Sequence, residues 1–174
     1  HVSCYGCGVC AVACPYKAIG MIQSQEGFWV PEIDPNLCVG CNVCDKVCAY
    51  LSHECTFPIH REEQVGAYAV VNKSEKIRQI STSGGAGYAI ATYLRQQGYT
   101  LVGVKYDESR GIACHFATDS LEEFRETMNS KYLPSYTVDG FSTLLDGKKY
   151  AVFGTPCQID SLRRWMRLRR NEEK

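Results

Sequence analysis

The chain has 174 residues, and its 19 basic and 19 acidic side chains cancel to a formal net charge of zero, so its overall balance draws it neither to nucleic acid nor to an anionic membrane. No apolar run approaches the roughly 20 residues of a membrane-spanning helix, and no charged-then-apolar stretch resembles a signal peptide, so a cytoplasmic protein without a membrane span is expected. The length suits one domain or two small ones. The sequence opens at His1 without a methionine, and the natural N-terminus is expected to lie upstream.

Eleven cysteines are present, nine of them between Cys4 and Cys55, with only Cys114 and Cys157 beyond. The rest of the chain has ordinary globular composition, which favours metal ligation over a disulfide framework. Cys4, Cys7, Cys10 and Cys14, followed by Pro15, read C-x2-C-x2-C-x3-C. Cys38, Cys41, Cys44 and Cys48, followed by Ala49, repeat the pattern 34 positions later. Three closely spaced thiolates wrap one [4Fe-4S] cubane while the fourth reaches the neighbouring cluster. The expected sets are therefore Cys4, Cys7, Cys10 and Cys48, and Cys38, Cys41, Cys44 and Cys14. Gly6, Gly8 and Gly40 lie between ligands, where a tight loop needs positive φ and close N–H groups. Structural zinc is the alternative, but it usually takes two separated C-x2-C pairs.

Between the units, Gly20-Met-Ile-Gln23 and Gly27-Phe-Trp-Val-Pro-Glu-Ile33 are β-type runs split by a polar turn, a hairpin expected to shield the clusters. Cys55, near His53, fits no ligand template and reads as a small buried hydrophobe. The polar run His60-Arg-Glu-Glu-Gln64 marks a boundary, giving a two-[4Fe-4S] ferredoxin-like domain over 1–60 and a second domain over 65–174. The fold class is α+β, the second domain being of α/β type. Gly66 to Asn72 and Tyr99 to Tyr106 read as strands with a helix between them. On that helix Ala86, Ile90, Tyr93 and Leu94 share the expected buried face, Thr82 or Ser83 its cap, and Gly98 its end. Its glycine-rich start, Ser81-Thr-Ser-Gly-Gly-Ala-Gly87, can present N–H groups to a phosphate or serve as an ordinary capped turn.

Residues 110–118 alternate like a strand, with Ile112, Cys114 and Phe116 on one face and Cys114 in the core. Short helices are expected over 121–128 and 139–146, and a strand over 148–153. Thr155 and Gln158 have capping-box spacing, Pro156 suits the first helical position, and Ile159, Leu162 and Met166 mark the buried side. Cys157 then sits in a helix's first turn, where the dipole favours a reactive thiolate; a packed, inert thiol is the other reading. Arg163, Arg164, Arg167, Arg169 and Arg170, with Glu172 and Glu173 nearby, read as a solvated helix face rather than a nucleic-acid patch.

The cysteine repeat, Ser81-Thr-Ser-Gly-Gly85, Ser130-Lys-Tyr-Leu-Pro-Ser135 and Gly154-Thr-Pro-Cys-Gln158, in that order, resemble the beta-subunit family of coenzyme F-420 hydrogenases and dehydrogenases. The resemblance implies that the second domain binds FAD near the clusters, as an iron-sulfur flavoprotein enzyme. It makes Ser83, Gly84 and Gly85 candidates for the flavin phosphates, and Lys131 and Tyr132 for flavin or substrate contacts. Gly154, Thr155, Pro156 and Cys157 become the wall near the isoalloxazine, and Cys157, from its place in the helix's first turn, is the candidate catalytic thiol. Members are usually longer, so a C-terminal portion is expected beyond this sequence. The implied function is an oxidoreductase that takes single electrons from a redox partner protein or subunit and, through a flavin, serves a two-electron acceptor such as a deazaflavin. A flavin-free electron carrier or docking subunit, and a disulfide reductase centred on Cys157, are the alternatives.

Overall fold

A computed structural model describes residues 4–52, 56, 66–145 and 147–172. Two five-residue helices, α1 (Val9–Ala13) and α2 (Val43–Val47), recur in step with the cysteines. Each starts from a left-handed residue, Gly8 at φ 68° and Asn42 at φ 58°. Between them β1 (Ile19–Gln23) and β2 (Trp29–Ile33) form the expected antiparallel hairpin, with Gln23 opposite Trp29. Cys55, His53 and the boundary run 60–64 lie outside the described residues.

Beyond them come α3 (Glu75–Gln79), α4 (Ala86–Gln96), β3 (Thr100–Asp107) and β4 (Ile112–Thr118). Next are α5 (Leu121–Phe124), which tightens into a 3-10 turn, and β5 (Ser135–Tyr136). The chain then forms α6 (Val138–Ser142), β6 (Tyr150–Val152) and α7 (Pro156–Glu172). The sheet runs in the order β5, β4, β3, β6, with β3 antiparallel to β4 and parallel to β6. It is thus mixed, with a hairpin at its centre and parallel strands at its margins.

One core cluster joins the cysteine-rich part to the sheet: Val9, Ala13 and Val47 pack with Val102, Phe141, Leu144, Leu162 and Trp165. A second, on the other face, holds Ala91, Leu101, Phe124 and Ala151. Adjacent Leu101 and Val102 therefore serve opposite faces, which is why β3 reads as a continuous apolar run instead of an alternation. Fully burying Val9, Val47 or Phe141 is worth about 1.5–3 kcal/mol each, so the two parts are held together by more than their covalent link.

Four expectations are corrected. Residues 66–72 form no strand: Tyr68, Val70 and Val71 are exposed, and the Asn72 N–H donates to the Gly84 carbonyl at 2.7 Å instead of to a neighbouring strand. The buried side of α4 is Tyr88, Ala91 and Leu94, leaving Ile90 and Tyr93 exposed, because the helix leans on α5 and β3 through that stripe. Its N-cap is Gly85 at φ 74°, with no side-chain cap, since Thr82 Oγ1 donates to Asn129 Oδ1 and Ser81 Oγ to the Ile77 carbonyl. Finally, the α7 arginines are not simply solvated. Arg164 pairs with Asp160 at 3.0 Å, Arg167 donates to the Thr56 carbonyl, and Arg169 lies 5.8 Å over the Trp165 ring.

Candidate functional site: a cysteine cage and an adjoining cavity

The positive φ angles of Gly6, Gly8 and Gly40 turn the chain tightly around the cysteines. Within the loops, the Gly6 N–H donates to Cys4 Sγ and the Ala18 N–H to Cys14 Sγ, each at 3.3 Å. Burial, followed by repulsion from Cys7, Cys4 and then Cys48, pushes the Cys10 thiol up to about 12. Cys48 thus lies close to Cys10, 38 positions earlier in the chain. Tyr5, beside Cys4, meets Tyr50, two residues after Cys48, edge to face at 5.1 Å. The Cys10 thiol thus resists ionisation alone but would yield its proton outright to a bound metal centre. Among the described residues, no three His, Cys, Asp or Glu side chains converge on the position of a single ion. A cubane takes its thiolates at the corners of a larger cage.

The two units differ in surroundings. Cys38 and Cys41 are exposed, whereas Cys7 and Cys10 are half-buried against α6 and α7. The Thr137 hydroxyl, 2 % exposed, donates to the Cys7 carbonyl at 2.9 Å. Ser161 on α7, 0 % exposed, has its Oγ 3.5 Å from Cys7 Sγ and 3.1 Å from the Ala49 nitrogen. Burial raises the Cys7 thiol, and the Ser161 hydroxyl opposes that. One residue away, the Asp160 carboxylate accepts from the Thr56 N–H, the Thr56 hydroxyl and Arg164. Burial pushes Asp160 up, but the Thr56 bonds and Arg164 outweigh it and hold the carboxyl below its usual range. In the second unit Cys44 has the Asp45 carboxylate 3.7 Å away, and burial together with that charge raises its thiol.

A cavity of about 570 Å³ opens between the start of α4, β3 and the turn that leads into α7. Its walls come from the three segments the sequence singled out: 81–87 with its helix start, 130–135, and 154–158. Ser83, Gly85, Lys131, Gly154 and Thr155 line it, as do Gly103 and Val104 of β3 and Phe153 just after β6. Because α4 has no side-chain cap, its first-turn N–H groups are left for whatever the cavity holds. Gln158 closes one wall: its Oε1 accepts from the Thr155 N–H at 2.8 Å and its Nε2 donates to Ser135 Oγ at 3.2 Å. Half of the predicted capping box is thus formed; the Thr155 hydroxyl instead lies 3.2 Å from Cys157 Sγ.

Other predicted residues lie apart from the lining. Tyr132 is 91 % exposed, and Gly84 is tucked under Val71, whose Cγ1 is 3.1 Å from where a Cβ would stand. Lys131 spends its ammonium on the carbonyls of Glu126, Met128 and Asn129, and burial lowers its pKa. It fastens the cavity loop. Cys157 and Pro156 are outside the lining, but Cys157 is close enough to Cys7 to raise the energy of its thiolate. The turn 154–158 therefore has the cavity on one side and the first cysteine unit on the other.

Ser161, Thr137, Asp160 and His115 escaped the sequence reading. None carries a local motif, since each is defined by contacts more than 20 positions away or by burial alone. His115 on β4 is wholly buried, with its ring 4.8 Å from that of Phe141. Neither ring nitrogen makes a well-formed hydrogen bond. Burial lowers its pKa to about 4, against a weak opposing pull from the Phe153 main chain.

Among the described residues, no helix is long and apolar enough to cross a membrane. No curated protein matches the chain. Residues 3–51 match the 4Fe-4S dicluster domain family, so the cysteine-rich part of this chain is an iron-sulfur, electron-transfer domain.

Proposed function

We propose that the chain is an iron-sulfur flavoprotein oxidoreductase, similar to the coenzyme F-420 hydrogenase and dehydrogenase beta subunits. It would carry single electrons between a partner protein and a two-electron acceptor such as a deazaflavin. The observation that carries this reading is the turn Gly154 to Gln158, which borders both the cavity and Cys7. In this reading Cys4, Cys7, Cys10 and Cys48 hold one [4Fe-4S] cluster, and Cys38, Cys41, Cys44 and Cys14 the other. The crowding of Cys10 by Cys7, Cys4 and Cys48 supports the first set.

An FAD in the cavity would supply the conversion between one-electron and two-electron chemistry. The N–H groups at the start of α4, with Ser83 and Gly85, suit its phosphates. Hydroxyls of Ser130, Ser135 and Thr155 and the amide of Gln158 offer neutral hydrogen bonds, while Phe153 and Leu133 offer apolar contact. The exposed second cysteine loop, with Leu37 and Val39 also exposed, suits contact with the redox partner. The half-buried Cys7 and Cys10 would face the flavin side.

Anaerobic reconstitution followed by FAD titration tests this. One FAD per chain should bind, and Ser83→Trp, which fills the cavity mouth, should weaken binding at least tenfold without lowering iron content. Full iron with no flavin uptake at any concentration would leave a plain electron carrier instead.

A further inference from the structure

We propose that Ser161 is a positioning residue whose hydroxyl donates a hydrogen bond to the Cys7 thiolate, raising the reduction potential of the cluster that Cys7 helps to hold. The inference rests on the assignment of Cys7 to a [4Fe-4S] cluster made above.

Ser161 is 0 % exposed, so water cannot serve its hydroxyl. A hydroxyl has one proton and two acceptor lone pairs. The Ala49 N–H, at 3.1 Å from Oγ, takes up a lone pair, because an N–H can only donate. Among the described residues, the remaining neighbour is Cys7 Sγ at 3.5 Å. As a neutral thiol Cys7 donates to Ser161 Oγ. As an iron-bound thiolate it has no proton and can only accept, so the bond reverses and the Ser161 proton turns to the sulfur. The chain then reads Ala49 N–H to Ser161 O–H to Cys7 Sγ, two donors aligned in one direction so that each strengthens the other.

Hydrogen bonds to cluster sulfurs stabilise the added negative charge of the reduced state and so raise the potential. The position is also selective. Ala49 follows Cys48, which shares the proposed cluster with Cys7, so Ser161 grips both ends of one ligand set from a single helix. Cys41, the counterpart of Cys7 in the second unit, is exposed and has no such donor among the described residues. Its neighbour Cys44 faces the Asp45 carboxylate instead. A hydroxyl serves one cluster and a carboxylate stands beside the other.

Potentiometric titration followed by EPR, on anaerobically loaded full chain, tests the idea. Ser161→Ala should move one of the two midpoints to a more negative value and leave the other in place, with iron held at about eight per chain, as two cubanes require. Ser161→Thr, which keeps the hydroxyl, should restore the wild-type midpoint. Iron lost from Ser161→Ala but kept by Ser161→Thr would point the same way. The proposal is overturned if fully loaded Ser161→Ala has both midpoints unchanged, or if the Ala and Thr variants shift alike, since packing rather than the proton would then be the cause. Wild-type chain holding well under eight irons would instead sink the two-cluster assignment itself.

Discussion

In the first cysteine unit Gly8 stands at φ 68°, and in the second Asn42 stands at φ 58°, the same left-handed step taken 34 residues apart. A Cβ on Gly8 would come within 2.0 Å of Thr137 Oγ1, whereas Asn42 is exposed. Gly6 and Gly40 repeat the contrast: a Cβ on the first would lie 2.7 Å from the Trp29 carbonyl oxygen, and on the second it would meet nothing within 4 Å. A duplicated motif thus keeps its backbone while its side chains answer to whatever packs against each copy. In the first copy residues 6–10 pack against their neighbours, whereas residues 37–42 of the second stay at the surface.

The most damaging way to probe that contrast is Gly8→Ala. It combines left-handed strain with a clash against the Thr137 hydroxyl, which is buried and held by the Cys7 carbonyl, and should cost about 3–5 kcal/mol. Asn42→Ala pays only the left-handed term, about 1 kcal/mol. Anaerobic thermal melts with parallel iron analysis would compare them, and equal losses would erase the distinction between the copies.

Acid is the next largest lever, because α6, whose N-cap Thr137 braces the first unit, packs on His115. The native pKa is about 4 against an ordinary 6.5, so above pH 6.5 the imidazole is neutral in both folded and unfolded chains. As pH falls from 6.5 towards 4, only the unfolded chain takes up the proton. Stability is therefore lost across that window, by on the order of 3 kcal/mol in all. His115→Phe should flatten this part of the melting temperature against pH, and an unchanged slope would show that other groups govern it.

A double-mutant cycle sharpens the comparison further. In Gly8→Ala with Thr137→Ala the offending oxygen is gone and the Cβ at 3.5 Å remains in ordinary contact, so the pair should be about 2 kcal/mol more stable than the sum of the single effects predicts. Gly40→Ala gives the smallest effect, about 1 kcal/mol of left-handed strain with no clash. A larger loss there would mean that the second loop is covered after all.

Much of this was legible in the sequence. The cysteine spacing requires the repeated turns, β-type runs split by a polar turn mark the hairpin, an apolar run marks β3, and capping-box residues open α7. The stretch 66–72 misled because Tyr68, Val70 and Val71 suit a strand, yet a strand needs a neighbour to bond, and the Gly84 turn takes that place. Ile90 and Tyr93 misled because helical periodicity allows several apolar stripes, and α5 and β3 choose among them. The cavity lining was found segment by segment, whereas Tyr132 was not separable from Lys131 without knowing which way the loop faces. Ser161 and Thr137 had no local signal, since their partners lie more than 100 positions away.

The shared core has a consequence for maturation. Val9, Ala13 and Val47 belong to the cysteine units yet share their burial with Trp165 of the last helix. Free energy gained when iron fastens those units is therefore passed to the sheet and α7, as binding to a native state stabilises the whole of it. A chelator stripping the metal should register far from the cysteines, as earlier melting of strands that never touch iron.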